Sequence, residues 1–277
     1  GRRNDSCPSR GAARGCSLHA LENYLAKLVQ AGHKVAIVEQ TGTEPEGQQT
    51  AGRTPMTREV VRVVTPGTVV EPGLLEEKRN NYLAALVSDQ HRAGIAYADI
   101  TTGMFAATEV DARDARQELE RLHPAELLLE VRNSKSEVGS ASPTSNVHAK
   151  RPISDLQFPI SNVRLLDLDS ARQTLFDHFR VAALDGFGLG GLPLATRAAG
   201  ALIQYLQDNQ KAALAQLTTL KTYSTKSFMT LDPATRRNLE LVATIRGGTV
   251  KGSLLGVLDE TRTAMGGRLL REWLAQP

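Results

Sequence analysis

Three carboxylates are the first candidates for chemistry. Asp99 ends the run Gly94 to Ile100 just before Thr101-Thr102-Gly103, where a strand would present it beside a hairpin. Joined by Asp167 and Asp169, it would form a two-metal nuclease centre, which needs several carboxylates converging on the ions. The competing reading spends Asp99 on the turn itself, its oxygens accepting hydrogen bonds from the Thr101 to Gly103 amides. The six histidines, His19, His33, His91, His123, His148 and His178, are scattered. They form no His-x-x-x-His pair, and no Gly-x-Ser-x-Gly elbow is present, so no catalytic triad is readable. Cys7 and Cys16 lack the partner spacing of a zinc site or disulfide framework. Gly186-Phe187-Gly188-Leu189-Gly190-Gly191 fits neither nucleotide-loop spacing, and no Gly-Lys-Ser/Thr stands anywhere in the chain. A helix-to-helix turn admitting positive φ is the reading it supports. Arg62, between Val61 and Val63 in a strand-like run, would point away from them and meet either solvent or a phosphate.

These residues need elements to position them. Leu18, Leu21, Leu25, Leu28 and Val29 repeat at helical spacing, and Gly32 follows as a cap, which predicts a helix over 18–31. Lys34 to Glu39 and Glu59 to Val64 read as strands, separated by a polar loop, Thr41 to Thr57. Thr65-Pro66-Gly67-Thr68 reads as a Pro-Gly turn with Gly67 at positive φ. Tyr82 to Ser88, Gly94 to Ile100 and Met104 to Glu109 form a β-meander. A charged helix, Val110 to Leu122, stops at Pro124, and Ala125 to Val131 is a fourth strand. Asn133 to Pro152 is Ser-rich and structureless. Asp169 or Ser170 caps a helix running through Phe179, and a further helix spans about Pro193 to Lys211. Beyond Leu214 the pattern is mainly helical: Asp232 caps a helix opened by Pro233, and Met265 to Leu274 forms another. Leu254, Leu255, Val257, Leu258, Leu269, Leu270 and Trp273 there ask for more apolar cover than the segment supplies, as in a truncated domain.

The chain has 277 residues, 41% hydrophobic and 23% charged, so collagen-like, disulfide-scaffold and disordered classes are excluded. Its apolar runs are too short for a membrane helix, and a cytoplasmic setting is expected. The net charge of +3 is uneven: residues 1–16 carry +3, 17–75 carry −1, 76–210 carry −4 and 211–277 carry +5. Solvated helix faces account for this split, and so does a face for nucleic acid or an acidic partner.

Several motifs, in order, carry a resemblance. Leu21-Glu22-Asn23-Tyr24-Leu25-Ala26-Lys27-Leu28-Val29, Val35-Ala36-Ile37-Val38-Glu39-Gln40 and Val60-Val61-Arg62-Val63-Val64-Thr65-Pro66-Gly67-Thr68 resemble the second half of the mismatch-recognition domain of the MutS family of bacterial DNA mismatch repair proteins. Asn81-Tyr82-Leu83-Ala84-Ala85, Asp99-Ile100-Thr101-Thr102-Gly103, Pro124-Ala125-Glu126-Leu127-Leu128 and Ala198-Ala199-Gly200-Ala201-Leu202-Ile203-Gln204-Tyr205 resemble its connector domain. Leu231-Asp232-Pro233-Ala234-Thr235-Arg236-Arg237-Asn238-Leu239-Glu240 and Met265-Gly266-Gly267-Arg268-Leu269-Leu270-Arg271-Glu272-Trp273-Leu274 resemble the start of its helical core, or lever, domain.

The resemblance implies an α/β multidomain chain: a non-native or disordered tail over 1–17, a partial mismatch-recognition domain over 18–76, a ribonuclease H-like connector over 77–212 and the start of an all-α lever over 213–277. It implies mispaired double-stranded DNA, MutL and a second MutS copy as partners of the whole, nucleoid-associated protein, with no membrane. ATP and Mg belong to the ATPase of the whole protein; the resemblance places that ATPase beyond Pro277, so no cofactor and no hydrolysis are expected in this stretch. His19, Lys27 and Arg62 are the DNA contacts it suggests. The family's Phe-x-Glu reader lies upstream of the matched region, and Gly15-Cys16-Ser17-Leu18 replaces the family's Gly-Val-Pro before the His19-Ala20 pair. The alternatives are a metal-dependent nuclease of the same fold centred on Asp99, and a nonfunctional truncated product.

Overall fold

The computed structural model describes residues 18–41, 57–130, 158–163, 166–229 and 231–276. The expected tail (1–17), the Ser-rich stretch (133–152) and most of the polar loop after Thr41 lie outside these described residues. Helix α1 (Leu18–Gln30) buries Leu25 and Val29 on one face and is closed by Gly32 at φ 79°. Strand β1 (Val35–Thr41) pairs antiparallel with β2 (Thr57–Val64). Leu25, Val29, Val64 and Val69 form the small core of this first part.

The main sheet has six strands in the order β7-β6-β3-β4-β5-β8. Strands β3 (Leu83–Ser88), β4 (Arg92–Asp99) and β5 (Met104–Asp111) are the expected antiparallel meander. After helix α2 (Ala115–Leu122), β6 (Glu126–Glu130) joins parallel to β3, and β7 (Ile160–Val163) joins parallel to β6. Two-residue periodicity sorts the side chains between two cores. Leu83, Ala85, Val87, Ala96, Ala98 and Phe105 face helices α3 (Leu168–Phe179) and α4 (Pro193–Asn209). Ala84, Leu86, Ile95, Tyr97 and Ala106 face Leu119 and Leu122 of α2. Gly94 is required by packing: a Cβ there would lie 2.1 Å from the Leu194 carbonyl carbon at the start of α4. That helix has no side-chain cap of its own. Buried Glu109 on β5 supplies one, accepting from the Leu194 and Ala195 amides at 3.1 and 3.4 Å while pairing with Arg92 at 2.9 Å.

Strand β8 (Lys221–Thr222), parallel to β5, brings the sheet an edge from beyond α4. Helices α5 (Pro233–Asn238), α6 (Leu254–Leu258) and α7 (Ala264–Ala275) follow, capped by Asp232, Ser253 and Thr263. The structure is thus mixed α/β followed by a helical segment, as expected. Of the apolar residues that asked for cover at this end, Leu255 is buried, whereas Val257 and Trp273 are 72% and 63% exposed.

Local differences from the sequence reading have physical causes. Val110 and Asp111 extend β5 opposite Ala93 and Arg92, so α2 begins at Ala115. Helix α3 is entered from Asp167 in extended conformation, ahead of Asp169 and Ser170. The short parallel strands β7 and β8 were not foreseen. The glycine-rich 186–191 stretch is a turn between helices, with Gly188 and Gly191 at φ 77° and 79°, as expected.

Candidate functional site

Asp99, the first candidate, is fully buried, and its oxygens are occupied. Oδ1 accepts from the Thr101 amide (2.9 Å) and hydroxyl (2.6 Å), and Oδ2 from the Asn81 amide (3.2 Å). The carboxylate holds the β4–β5 turn, fully buried and with both oxygens engaged inside the protein. Asp167 and Asp169 are exposed at the start of α3, and among the described residues no group of three or more His, Cys, Asp or Glu is placed to hold a metal. The turn reading of Asp99 is the one the geometry supports.

Asp99 belongs instead to a junction. Pro66, Gly67 and Thr68 form one 3-10 turn directly after β2, and Gly67 does not take the positive φ expected of it. Glycine is needed there because a Cβ would approach Glu126 Cβ and Leu83 Cδ1 to 2.8 Å. The contact brings the turn onto Glu126, the first residue of β6, which is fully buried. Glu126 acts purely as an acceptor. Its Oε2 takes the Thr65 hydroxyl and the Gly67 amide (3.1 Å); its Oε1 takes the Ser161 hydroxyl and the Tyr205 hydroxyl (2.7 Å). One carboxylate thereby ties the end of the first part to β6, β7 and α4. Burial and the Glu126 charge push the Tyr205 phenol well above its ordinary range. Lys34 adds a second tie, standing over the Tyr205 ring at 5.4 Å.

The segment 76–81 completes the junction. Asn81 donates to the Pro66 carbonyl (3.1 Å) while its amide holds Asp99. Lys78 reaches the helical end, its Nζ within 3.0 Å of Asp259 Oδ2 and 2.8 Å of the Thr261 carbonyl. Arg268 of α7 answers with Nε on the Glu77 carbonyl (2.8 Å) and Nη1 on Thr101 Oγ1 (3.4 Å). The Thr261 hydroxyl, and after it Lys78, hold the Asp259 carboxyl down at about 2. Residues 76–81 thus contact all three parts of the chain.

A second buried charge lies on the α2 face. Arg121 and Glu118, with side chains 8% and 7% exposed, pair at 2.6 Å, and the Tyr223 hydroxyl donates to Glu118 at 2.5 Å. Burial works to lower the Arg121 guanidinium, but hydrogen bonding and charge from Glu118 outweigh it and hold it up. Burial also pushes the Tyr97 phenol up to about 12.

The sequence-predicted DNA contacts all fall in the first part of the chain, His19 and Lys27 on α1 and Arg62 on β2. Arg62 is less open than the alternation suggests: it is half-buried and paired with Glu71 at 2.5 Å. A bulge causes this. Ile37 pairs with Arg62 and Val38 with Val60, leaving Val61 as the extra residue and breaking the alternation. The exposed side chains are therefore Val60 and Val61. Lys27 is exposed near the end of α1, and His19 falls on the first turn of that helix. Glu126 stands in the Pro124-Ala125-Glu126-Leu127-Leu128 motif, whose sequence alone assigns it no role. Its signal was a charge opening the otherwise apolar strand Leu127-Leu128-Leu129, which has to be matched by donors when buried.

No helix among the described residues is long and apolar enough to cross a membrane. Three family models match in succession: MutS domain I over residues 2–72, MutS domain II over 81–218 and MutS domain III over 234–277. The gap between the first two matches, residues 73–80, contains all of the 76–81 linker except Asn81. The DNA mismatch repair protein MutS of Dehalococcoides mccartyi (strain ATCC BAA-2266 / KCTC 15142 / 195) is 44% identical over 263 residues, covering 95% of this chain and 29% of that protein. Those of Roseiflexus castenholzii and Thermosynechococcus vestitus are each 41% identical, covering 95% and 97% of this chain and 28% and 30% of their own lengths. The chain spans about three-tenths of the curated relatives it matches. With three MutS domain models aligned in order along its length, the chain belongs to the MutS family.

Proposed function

We propose that this chain is the connecting region of a DNA mismatch repair protein, which carries the effect of mispaired double-stranded DNA from the first part of the chain to the helical lever. The observation that supports this reading best is the junction: Glu126 clamps the first part, Asp99 holds Asn81, and Lys78 and Arg268 bind the helical end. The connector, expected over 77–212, carries its sheet on to β8 at Lys221–Thr222, so in this reading it lies between a mismatch-recognition portion at 18–76 and a lever portion that begins after β8 and not at 213. Lys27 and His19 on α1 are the DNA contacts in this reading, acting on phosphates and so without sequence choice. The acidic middle, −4 over residues 76–210, suits a protein partner better than DNA, and MutL is the partner assigned to it. ATP and Mg2+, with the pairing of two MutS copies, are assigned to parts of the whole protein outside these residues. No Gly-Lys-Ser/Thr phosphate loop occurs in the 277 residues.

A graft tests the proposal. The corresponding region of the Dehalococcoides relative is replaced by this chain, and mutation frequency is scored in a repair-deficient bacterial host. The graft is expected to restore a low frequency. A graft that folds and hydrolyses ATP but leaves the frequency at the deficient level would sink the proposal.

A further inference from the structure

A cavity of about 410 Å3 lies between the connector edge and α7, bordered by the 76–81 linker but not by Glu126. Arg79, Arg121, Arg268 and Arg271 line it, against Glu76 and Glu272. Arg121 is already paired with Glu118, so the other three arginines face two carboxylates. Their donors are only partly used. Arg268 spends Nε on a backbone carbonyl and Nη1 on a long hydroxyl contact. Arg79 reaches the exposed Glu76 at 3.6 Å and donates through Nη2 to His123 Nδ1 at 3.1 Å. Arg271 Nε is buried without any hydrogen-bond partner. A guanidinium offers five donors in a planar fork, and a buried donor without a partner is costly unless something else fills it.

We propose that this cavity binds a small phosphate-type oxyanion, held by the forks of Arg79, Arg268 and Arg271. Multi-oxygen anions meet guanidinium donors two at a time, and one such anion would give the Arg271 guanidinium a partner while cancelling the excess charge of the lining. The apolar walls, Leu122, Val242 and Val250, keep water from competing fully and leave room beyond the anion itself. His123 also lines the cavity, and burial together with Arg79 lowers its imidazole pKa, which keeps Nδ1 able to accept.

The test is isothermal titration calorimetry of the full 277-residue chain with sodium phosphate and then pyrophosphate, ionic strength held constant with sodium chloride. Saturable binding at one site is expected, weakened about tenfold or more in Arg271→Gln and unchanged in the distant Lys211→Gln. Arg271→Lys keeps the charge but loses the fork and is expected to fall between wild type and Arg271→Gln. Should Arg271→Gln fail to fold, Arg268→Gln carries the same expectation. Absence of saturable binding, or equal binding in wild type and the arginine variants, would overturn the site. A short DNA duplex, added to the phosphate-saturated protein, separates the sources of phosphate. No displacement is expected, because the anion sits in a cavity a duplex cannot enter. Displacement would reassign these arginines to the DNA backbone and overturn the small-anion reading.

Discussion

Glu126→Ala removes the acceptor of four hydrogen bonds at once. The donors are the Thr65, Ser161 and Tyr205 hydroxyls and the Gly67 amide, all closed off from water around a fully buried side chain. A hydrogen bond to a charged group contributes ~1.5–3 kcal/mol, and a buried donor left alone costs ~1–3 kcal/mol. The three hydroxyls can turn toward other acceptors, whereas the Gly67 amide is fixed by its turn, so the full sum is not reached. The expected loss is ~3–5 kcal/mol, as for other buried charged groupings that lose one member. Glu126→Gln keeps the shape: its oxygen can serve Thr65 and Gly67 while its amide donates to the Ser161 and Tyr205 hydroxyls, and the expected loss is only ~1–2 kcal/mol. Urea unfolding of the 277-residue chain, with m unchanged, measures both. Amide exchange at residues 67–69 should accelerate in Glu126→Ala more than exchange in β3 and β4, because the joint opens before the sheet does. A loss under ~1 kcal/mol with protection at Gly67 intact would refute the claim that this carboxylate is the joint.

Other expectations follow from the same geometry. Gly94→Ala drives a Cβ into the Leu194 backbone and is expected to cost ~3 kcal/mol or more, against ~1–3 kcal/mol for Gly67→Ala, both read from thermal or urea unfolding. His123 has a folded pKa below its ordinary 6.5, so the unfolded chain binds more protons just below that pH. Its contribution to stability is therefore complete above about pH 6.5 and declines as pH falls toward the folded value; His123→Gln should flatten that part of the stability curve. The Asp259 carboxyl, at about 2, contributes above its ordinary 3.8 and loses that contribution as pH falls through about 2. Carboxyl titration by NMR should move it upward more in Thr261→Val than in Lys78→Met, since the hydroxyl is the larger cause.

The parts legible in the sequence were those where one physical rule dominates. The meander of β3, β4 and β5 showed through its alternation and its Thr-Thr-Gly turn, and α5 through Asp232 and Pro233. Strands β7 and β8 were hidden because four and two residues are too few for a period to appear, and their partners are supplied by distant chain. Arg62 was misread because alternation was carried through Val61, where the bulge suspends it; only the pairing with β1 reveals that residue as extra. Gly67 looked like a turn glycine and is a packing glycine, since the group it makes room for lies 59 residues away. The junction as a whole was invisible for the same reason. Glu126, Asn81, Lys78 and Arg268 each look ordinary alone, and their meaning comes from contacts that cross between parts of the chain. The motif resemblance located the parts; it carried no information about which side chains join them.

Fluorescence anisotropy of the 277-residue chain with a homoduplex and with a G·T-mismatched duplex, each at two salt concentrations, tests the functional account most directly. No Phe-x-Glu reader stands in the sequence, so phosphate contacts without an aromatic wedge are what the account leaves. It predicts weak binding that is equal for the two duplexes and falls with added salt. A clear preference for the mismatched duplex, or no binding to either at low salt, would contradict it.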